Sequence, residues 1–328
     1  MLKVAFHSGY LGFRGTEVAL IDYAWGNQNI LGNESFFLLP WREKAEKHPV
    51  VQIMEKICPT RFYRTADERE SILKEEKANF FYCIKNGNND GVFSKKVLTG
   101  VHAIFQESEF HGDIYAFISP WLARVTSYGR SPVVPCMVRL PEIAEDLKEE
   151  LGIPAGAFVF GRHGGEDSFD IRWAQRAVVR AAGENHQIWF LFLNTREFAE
   201  ARPFGNIRFL PATSDPRRKK AFLNTCDVMI HARQRGETLG MACLEFAMAG
   251  KPVITYAHSP EKAHLEILGK MAIPYRNAEE LVQIIQKFSG NKKISAQPDP
   301  LAKRIPELDD FYPSEVMSRF HQVFLQGV

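Results

Sequence analysis

Apolar residues fall along the chain in short continuous runs of four to six, separated by longer stretches with helical spacing. Runs of this kind read as strands buried on both faces, and the intervening stretches as the helices that cover them. In the first half, residues 3–7 and 35–39 read as strands on either side of a helix at 16–28. Residues 50–86 read as short strands around a charged helix at 67–77, ending in the apolar run 79–84. A turn cluster, Asn86-Gly-Asn-Asn-Asp-Gly91, precedes a strand at 97–101 that ends at His102, and strands at 115–119 and 133–138 complete this half. Pro132, Pro135, Pro141 and Pro154 bracket a hinge. The alternation then resumes: strand 158–160, helix 171–182, strands 188–193 and 207–210, helix 217–224 and strand 227–230. Residues 290–303 read as a polar linker. The last helix, 313–326, carries Val316, Phe320, Val323 and Phe324 on one face. The expected fold class is α/β, with parallel sheets covered by helices on both faces.

The densest chemical information lies in Arg235-Gly-Glu-Thr-Leu-Gly-Met-Ala-Cys-Leu-Glu-Phe-Ala-Met-Ala-Gly-Lys-Pro-Val-Ile254. Ala, Met, Leu, Cys and Glu favour a helix from 239 to 249, which Gly250 and Pro252 stop, and residues 251–256 follow as a buried strand. Glu237 thus stands just before the helix and Glu245 two turns along it, on the order of 12 Å apart at the helical rise. That span suits a nucleotide-sugar. The backbone N–H groups of Thr238, Leu239 and Gly240 are expected to be free at the positive end of the helix dipole, where a diphosphate binds well. The plainer alternative is an acidic first turn followed by a solvated carboxylate. Glu245 speaks against it, because a carboxylate among Met241, Cys243, Leu244, Phe246 and Met248 needs a partner, and a ribose diol is one.

With these residues the segment resembles the signature of retaining glycosyltransferases of family 4. The Glu–seven residues–Glu pattern is followed by Ala247-Met-Ala-Gly-Lys-Pro-Val253. The match is close over 226–256 and looser, but in the same order, elsewhere. The resemblance implies two facing Rossmann-like domains (the GT-B fold) with a donor cleft, no metal, and a C-terminal helix that crosses back to the first domain. The implied division is 1–142 as an acceptor-side domain, 143–303 as a donor domain and 304–328 as the returning helix. It also implies roles for other residues. The turn Arg14-Gly15-Thr16-Glu17 partly matches a family glycine loop and would bring Gly15 close to the diphosphate; as a plain alternative, these glycines only shape a strand-to-helix turn. His102 matches a histidine near the transferred sugar, with His111 as competitor and a core histidine as the alternative. Gly161-Arg-His-Gly-Gly165 matches a Gly-Arg turn whose Arg162 would grip phosphate as a fixed cationic fork. The family's lysine a few residues on is missing, and Glu166-Asp-Ser-Phe-Asp170 stands there instead. His163, the Gly164 and Gly165 amides, or Arg233 and Arg235 would then supply the charge, or the donor sits differently. Arg233 reads equally as a rim charge. Arg217-Arg-Lys-Lys220 reads as a solvated helix face.

Composition narrows the alternatives. A chain of 328 residues exceeds one core, and 45% hydrophobic with 24% charged residues is ordinary for a globular protein. The 41 basic and 39 acidic residues give +2, which does not point to nucleic acid. Five dispersed cysteines form no Cys-x-x-Cys, and no run is long enough for a transmembrane helix, so the expected setting is cytoplasmic with at most a peripheral membrane contact. Gly9, Gly12 and Gly15 lack the Gly-x-Gly-x-x-Gly spacing of a nicotinamide site. No Asp-x-Asp, histidine cluster or Gly-x-Ser-x-Gly occurs, so no metal or other cofactor is expected. The resulting expectation is a metal-independent, retaining glycosyltransferase. It would move a sugar from a nucleoside-diphosphate sugar to a glycan, lipid-linked or protein-linked hydroxyl. His102 and Glu237 would serve the chemistry; Gly15, Arg162, His163, Gly164, Gly165, Arg233, Thr238, Leu239, Gly240 and Glu245 would hold the donor. The alternatives are a sugar-nucleotide epimerase or hydrolase on the same fold, or a non-catalytic glycan-binding protein with a relic donor site.

Overall fold

The computed structural model describes residues 1–12, 15–43, 45–106, 109–201, 204–290 and 304–328. Arg14 and nearly all of the expected linker lie outside these residues. The chain divides into two compact units, one of Met1–Arg139 with Asp309–Val328 and one of Leu140–Leu308. Among the described residues no helix is long and apolar enough to cross a membrane.

The first unit is built from β1 (Lys3–Ser8), α1 (Gly15–Asn29), β2 (Glu34–Pro40), α2 (Pro49–Glu55), β3 (Thr60–Tyr63), α3 (Ala66–Glu75), β4 (Phe80–Lys85), β5 (Leu98–Ala103), β6 (Ile114–Phe117) and α4 (Pro120–Ser127). Its sheet is parallel throughout, in the order β3-β2-β1-β4-β5-β6. Two expectations change here. Residues 49–55 form a helix, because Pro49 presets its first turn and His48 caps it, accepting from the Val50 amide. Residues 133–138 run extended but make a single bridge, Phe117 to Val133, since Pro132 and Pro135 cannot donate to a ladder.

The second unit contains α5 (Lys148–Leu151), β7 (Phe158–His163), α6 (Arg172–Glu184), β8 (Ile188–Leu193), β9 (Ile207–Leu210), α7 (Pro216–Thr225), β10 (Val228–His231), β11 (Gly236–Glu237), α8 (Met241–Met248), β12 (Val253–Tyr256), β13 (Glu261–Lys262), α9 (Ala263–Leu268), β14 (Ala272–Tyr275) and α10 (Ala278–Gly290). Its main sheet is β14-β12-β10-β7-β8-β9, again parallel, and β11 pairs separately with β13. Counted from its own first strand, this order repeats that of the first unit. In such sheets ligands bind beyond the carboxyl ends of the strands where the winding reverses, which here is between β7 and β10.

The final helix, α11 (Pro313–Phe320), continues in a wider turn over His321–Leu325 and belongs to the first unit. Phe320 packs on Phe6, Tyr23 and Tyr82, and Phe324 on Phe80, Tyr82 and His102. Burying each ring contributes about 1.5–3 kcal/mol. Two glycines make room for this helix. A Cβ on Gly26 would come within 2.6 Å of Met317, and one on Gly100 within 2.7 Å of Phe324 and 2.6 Å of Phe80. Gly100→Ala is therefore expected to cost about 1–3 kcal/mol by overpacking, read as a lower midpoint in urea denaturation with an unchanged slope.

Candidate functional site

The loops that leave β7 and β10 carry most of the expected site residues. Arg162, the penultimate residue of β7, is 2% exposed. Its Nη1 donates to the Asn194 carbonyl at 3.2 Å and to Thr195 Oγ1, and its Nη2 to the Gly165 carbonyl at 2.8 Å and Ser168 Oγ at 2.6 Å. Burial lowers the guanidinium to about 10, which leaves it charged at neutral pH. The expected role for Arg162 is corrected by this geometry. It does not reach out to a ligand; it ties the 163–168 turn to the end of β8. Gly164, at a φ of +147°, lies close under that guanidinium, where a Cβ would be 3.2 Å from Nη2, and its carbonyl accepts from Asn194 Nδ2 at 2.7 Å.

Glu245 faces inward from α8 and is 5% exposed. It has found its partners within the protein. Lys219 Nζ of α7 donates to Oε1, and His163 Nε2 stands 2.9 Å from Oε2. The His163 ring is stacked 5.7 Å from Phe246 and lies edge-on to Phe222 at 6.2 Å. Burial alone would raise the Glu245 carboxyl, but the attraction of Lys219 and then His163 brings it down to about 2. Beside this cluster and sharing Phe222 is a cavity of about 140 Å³, lined by Leu193, Leu210, Pro211, Ala212, Thr213 and Arg218 among others. A cavity of this size has room for several waters or one flat heterocycle.

Glu237 lies in β11, outside α8, and its oxygens are also engaged. Oε1 is 3.2 Å from His231 Nε2, and Oε2 accepts from Arg233 Nη1 at 2.7 Å. The network continues inward. Thr255 Oγ1 is 2.8 Å from His231 Nδ1 and 3.0 Å from His264 Nε2. With His231 donating from Nε2 to the carboxylate, its Nδ1 can accept from the Thr255 hydroxyl, which in turn accepts from His264. Burial would raise Glu237, yet His231, then Arg233, hold it at about 2. Gly236 is obligatory here, because at a φ of +80° a Cβ would stand 2.0 Å from the Glu261 carbonyl.

The helix start is displaced from expectation. Gly240 is the N-cap of α8, at a φ of +91°, and the side chains of Thr238 and Leu239 are buried. The amides without intrahelical partners are therefore those of Gly240, Met241, Ala242 and Cys243, so of the expected three only Gly240 is among them. His102 is corrected as well. It precedes the last residue of β5 and is fully buried, with Nδ1 2.7 Å from the Tyr82 hydroxyl and its ring against Tyr23 and Phe324. Burial lowers it to about 4, so at neutral pH it is an uncharged core histidine of the first unit rather than a rim residue. Gly15, also in the first unit, opens α1. His111 accepts from Lys85 Nζ at 2.9 Å and donates to the Glu109 carbonyl at 2.6 Å.

Sequence reasoning missed Lys219, the His231–Thr255–His264 chain and the cavity. Lys219 sits three and four residues before the buried Phe222 and Leu223, a spacing that turns it toward the core side of α7. The basic run at 217–220 hid that signal. Among the described residues no three potential metal-ligating side chains gather.

A family model described as Glycosyl transferases group 1 matches residues 192–304, a stretch that contains both glutamates. No curated protein matches the chain. Among solved structures, the chain resembles HepE of Anabaena in complex with UDP-glucose, at 15% identity, 99% and 96% coverage of this chain and that one, and a TM-score of 0.65. It also resembles a glycosyltransferase of Rickettsia africae (13%, 99% and 98%, 0.70) and a UDP-GlcNAc 2-epimerase of Neisseria meningitidis bound to UDP-GlcNAc (9%, 99% and 100%, 0.63). At these identities the likeness is one of fold. The fold is GT-B, two Rossmann-like parallel α/β units, as the resemblance implied.

Arg162→Met should destabilise the protein by about 2 kcal/mol in urea denaturation, since it leaves the buried Thr195 hydroxyl and the part-buried Asn194 carbonyl without this donor and cuts the tie between the 163–168 turn and the end of β8. Acid should act through the glutamates. Their folded pKa values lie below the ordinary 4.5, so the stability they contribute is complete above about pH 4.5 and is lost as pH falls toward 2. The expected slope is about 1.4 kcal/mol per pH unit for each carboxylate. Replacing either one by Gln should remove its share of that slope in denaturation curves measured from pH 5 to 2.

Proposed function

We propose that the chain is a metal-independent, retaining glycosyltransferase that uses a nucleoside-diphosphate sugar. The observation that carries this reading is the buried, ionised Glu245, held with His163 at the winding reversal of the second unit, in a cluster that shares Phe222 with a cavity past the ends of β8 and β9. The matched group 1 glycosyl transferase stretch and the fold shared with UDP-glucose-bound HepE support it.

In this reading the base enters the cavity lined by Leu210, Ala212 and Phe222, and Glu245 accepts from the ribose hydroxyls through lone pairs that its present partners leave open. The first-turn amides of α8, the 163–165 turn and Arg233 face the diphosphate, where fixed dipoles stabilise the charge that develops on departure. Glu237, oriented by His231 and Arg233, contacts the sugar hydroxyls. In the reaction the bond from the anomeric carbon to the phosphate oxygen breaks through an oxocarbenium-like state. The acceptor oxygen bonds on the same face, and its proton goes to the departing phosphate oxygen. The acceptor class is a hydroxyl of a glycan, a lipid-linked sugar or a glycoprotein. His102 takes no part, since its ring is sealed in the first unit's core.

The Neisseria epimerase with the same fold motivates a second reading, that of a sugar-nucleotide epimerase. An epimerase would change the donor without any acceptor present.

Calorimetric titration with UDP-, GDP-, ADP- and CMP-sugars tests the site. One family of donors should bind, Glu245→Ala should weaken it about 10- to 100-fold, and Ala212→Trp should abolish it by filling the cavity. Absence of binding by every donor, or unchanged affinity in Glu245→Ala, would overturn the assignment. Incubation of the bound donor alone, followed by NMR of the sugar, separates epimerase from transferase.

A further inference from the structure

We infer that Lys219 is the cation that meets the donor diphosphate in this chain, in place of the lysine absent from the turn after β7. The inference rests on the nucleotide-sugar reading above and adds the residue that reading lacks.

A diphosphate needs positive charge, and the turn after β7 provides little. The Arg162 guanidinium is turned inward onto Asn194, Thr195, Gly165 and Ser168. Glu166 and Asp167, where a lysine was expected, are exposed acids paired with Arg196 at 3.8 and 2.7 Å. A further positive charge comes from another element. Lys219 reaches from α7 to α8, and its side chain remains 22% exposed. Its ammonium has three donors, and Glu245 takes one.

Glu245 is what makes this lysine useful. The carboxylate fixes a flexible side chain in one place, in a cluster with His163 at the end of β7 whose ring meets Phe222, a residue that also lines the cavity. It also neutralises the lysine while the site is empty, so a partly buried ammonium is not left unpaired. An arriving diphosphate takes the remaining donors of a compact, strongly hydrated charge, the chemistry for which lysine suits phosphate. One carboxylate thus positions the phosphate ligand and accepts from the ribose, which ties the two halves of nucleotide recognition to a single side chain.

The test compares nucleoside diphosphates with their nucleosides. Calorimetry with UDP, GDP and ADP, and with uridine, guanosine and adenosine, is run on wild type, Lys219→Gln and Lys219→Arg. For whichever pair binds, Lys219→Gln should weaken the diphosphate about tenfold or more and leave the nucleoside within about twofold, and Lys219→Arg should restore the diphosphate to within a few-fold. Equal loss for diphosphate and nucleoside, or no loss for either, overturns the inference while leaving the donor reading standing. Failure of wild type to bind any of the three diphosphates overturns the donor reading and this inference with it. If Lys219→Gln does not fold because Glu245 is stranded, the double variant Lys219→Gln/Glu245→Gln removes both charges. Compared with Glu245→Gln alone, it should show the same selective loss of diphosphate affinity.

Discussion

A carboxylate buried on α8 has to be met by partners, and in this protein Lys219 and His163 meet it. Much of the second unit's chemistry depends on that demand. It draws α7 and α8 together across the carboxyl end of the sheet, holds His163 at the tip of β7, and keeps the carboxyl ionised far below its ordinary range. Glu237 is treated in parallel fashion by His231 and Arg233. Two acids eight positions apart in sequence are thus each surrounded by cations and histidines from separate elements. The result is a pair of fixed acceptors whose charge does not change over the physiological range.

The elements themselves were largely legible in the sequence. Continuous apolar runs such as Phe80-Phe-Tyr-Cys-Ile84 and Ile188-Trp-Phe-Leu-Phe-Leu193 leave little alternative to strands buried on both faces. The Glu237–Glu245 segment was legible for the same reason, since an acid in an apolar helix advertises a hidden partner. The identity of the partner was not. A salt bridge between α7 and α8 depends on how two helices pack: the spacing to Phe222 and Leu223 turns Lys219 inward, but nothing in either helix names Glu245 as what it meets. The basic run 217–220 looked like a solvated face because sequence counts charges without showing which way they point.

The resemblance directed Arg162 and His102 at a ligand, and in this structure both side chains turn inward. The geometry shows how cheaply a fold can absorb such residues. Arg162 satisfies four neutral acceptors and becomes a clamp between two loops. His102 meets the Tyr82 hydroxyl and aromatic rings that shield it from water. Which way each side chain points depends on contacts that sequence does not show, Asn194 and Thr195 for Arg162 and Tyr82 for His102 among them.

The return of α11 to the first unit has a consequence for how the molecule is made. Residues 140–308 are contiguous, so the second unit has all its parts before the chain's last helix emerges from the ribosome. The first unit does not. Until Phe320 and Phe324 arrive, the faces of Phe6, Tyr23, Tyr82 and His102 that they cover stand open to water. The domain synthesised first is therefore completed last, and its half-finished aromatic surface is what a nascent-chain chaperone would meet.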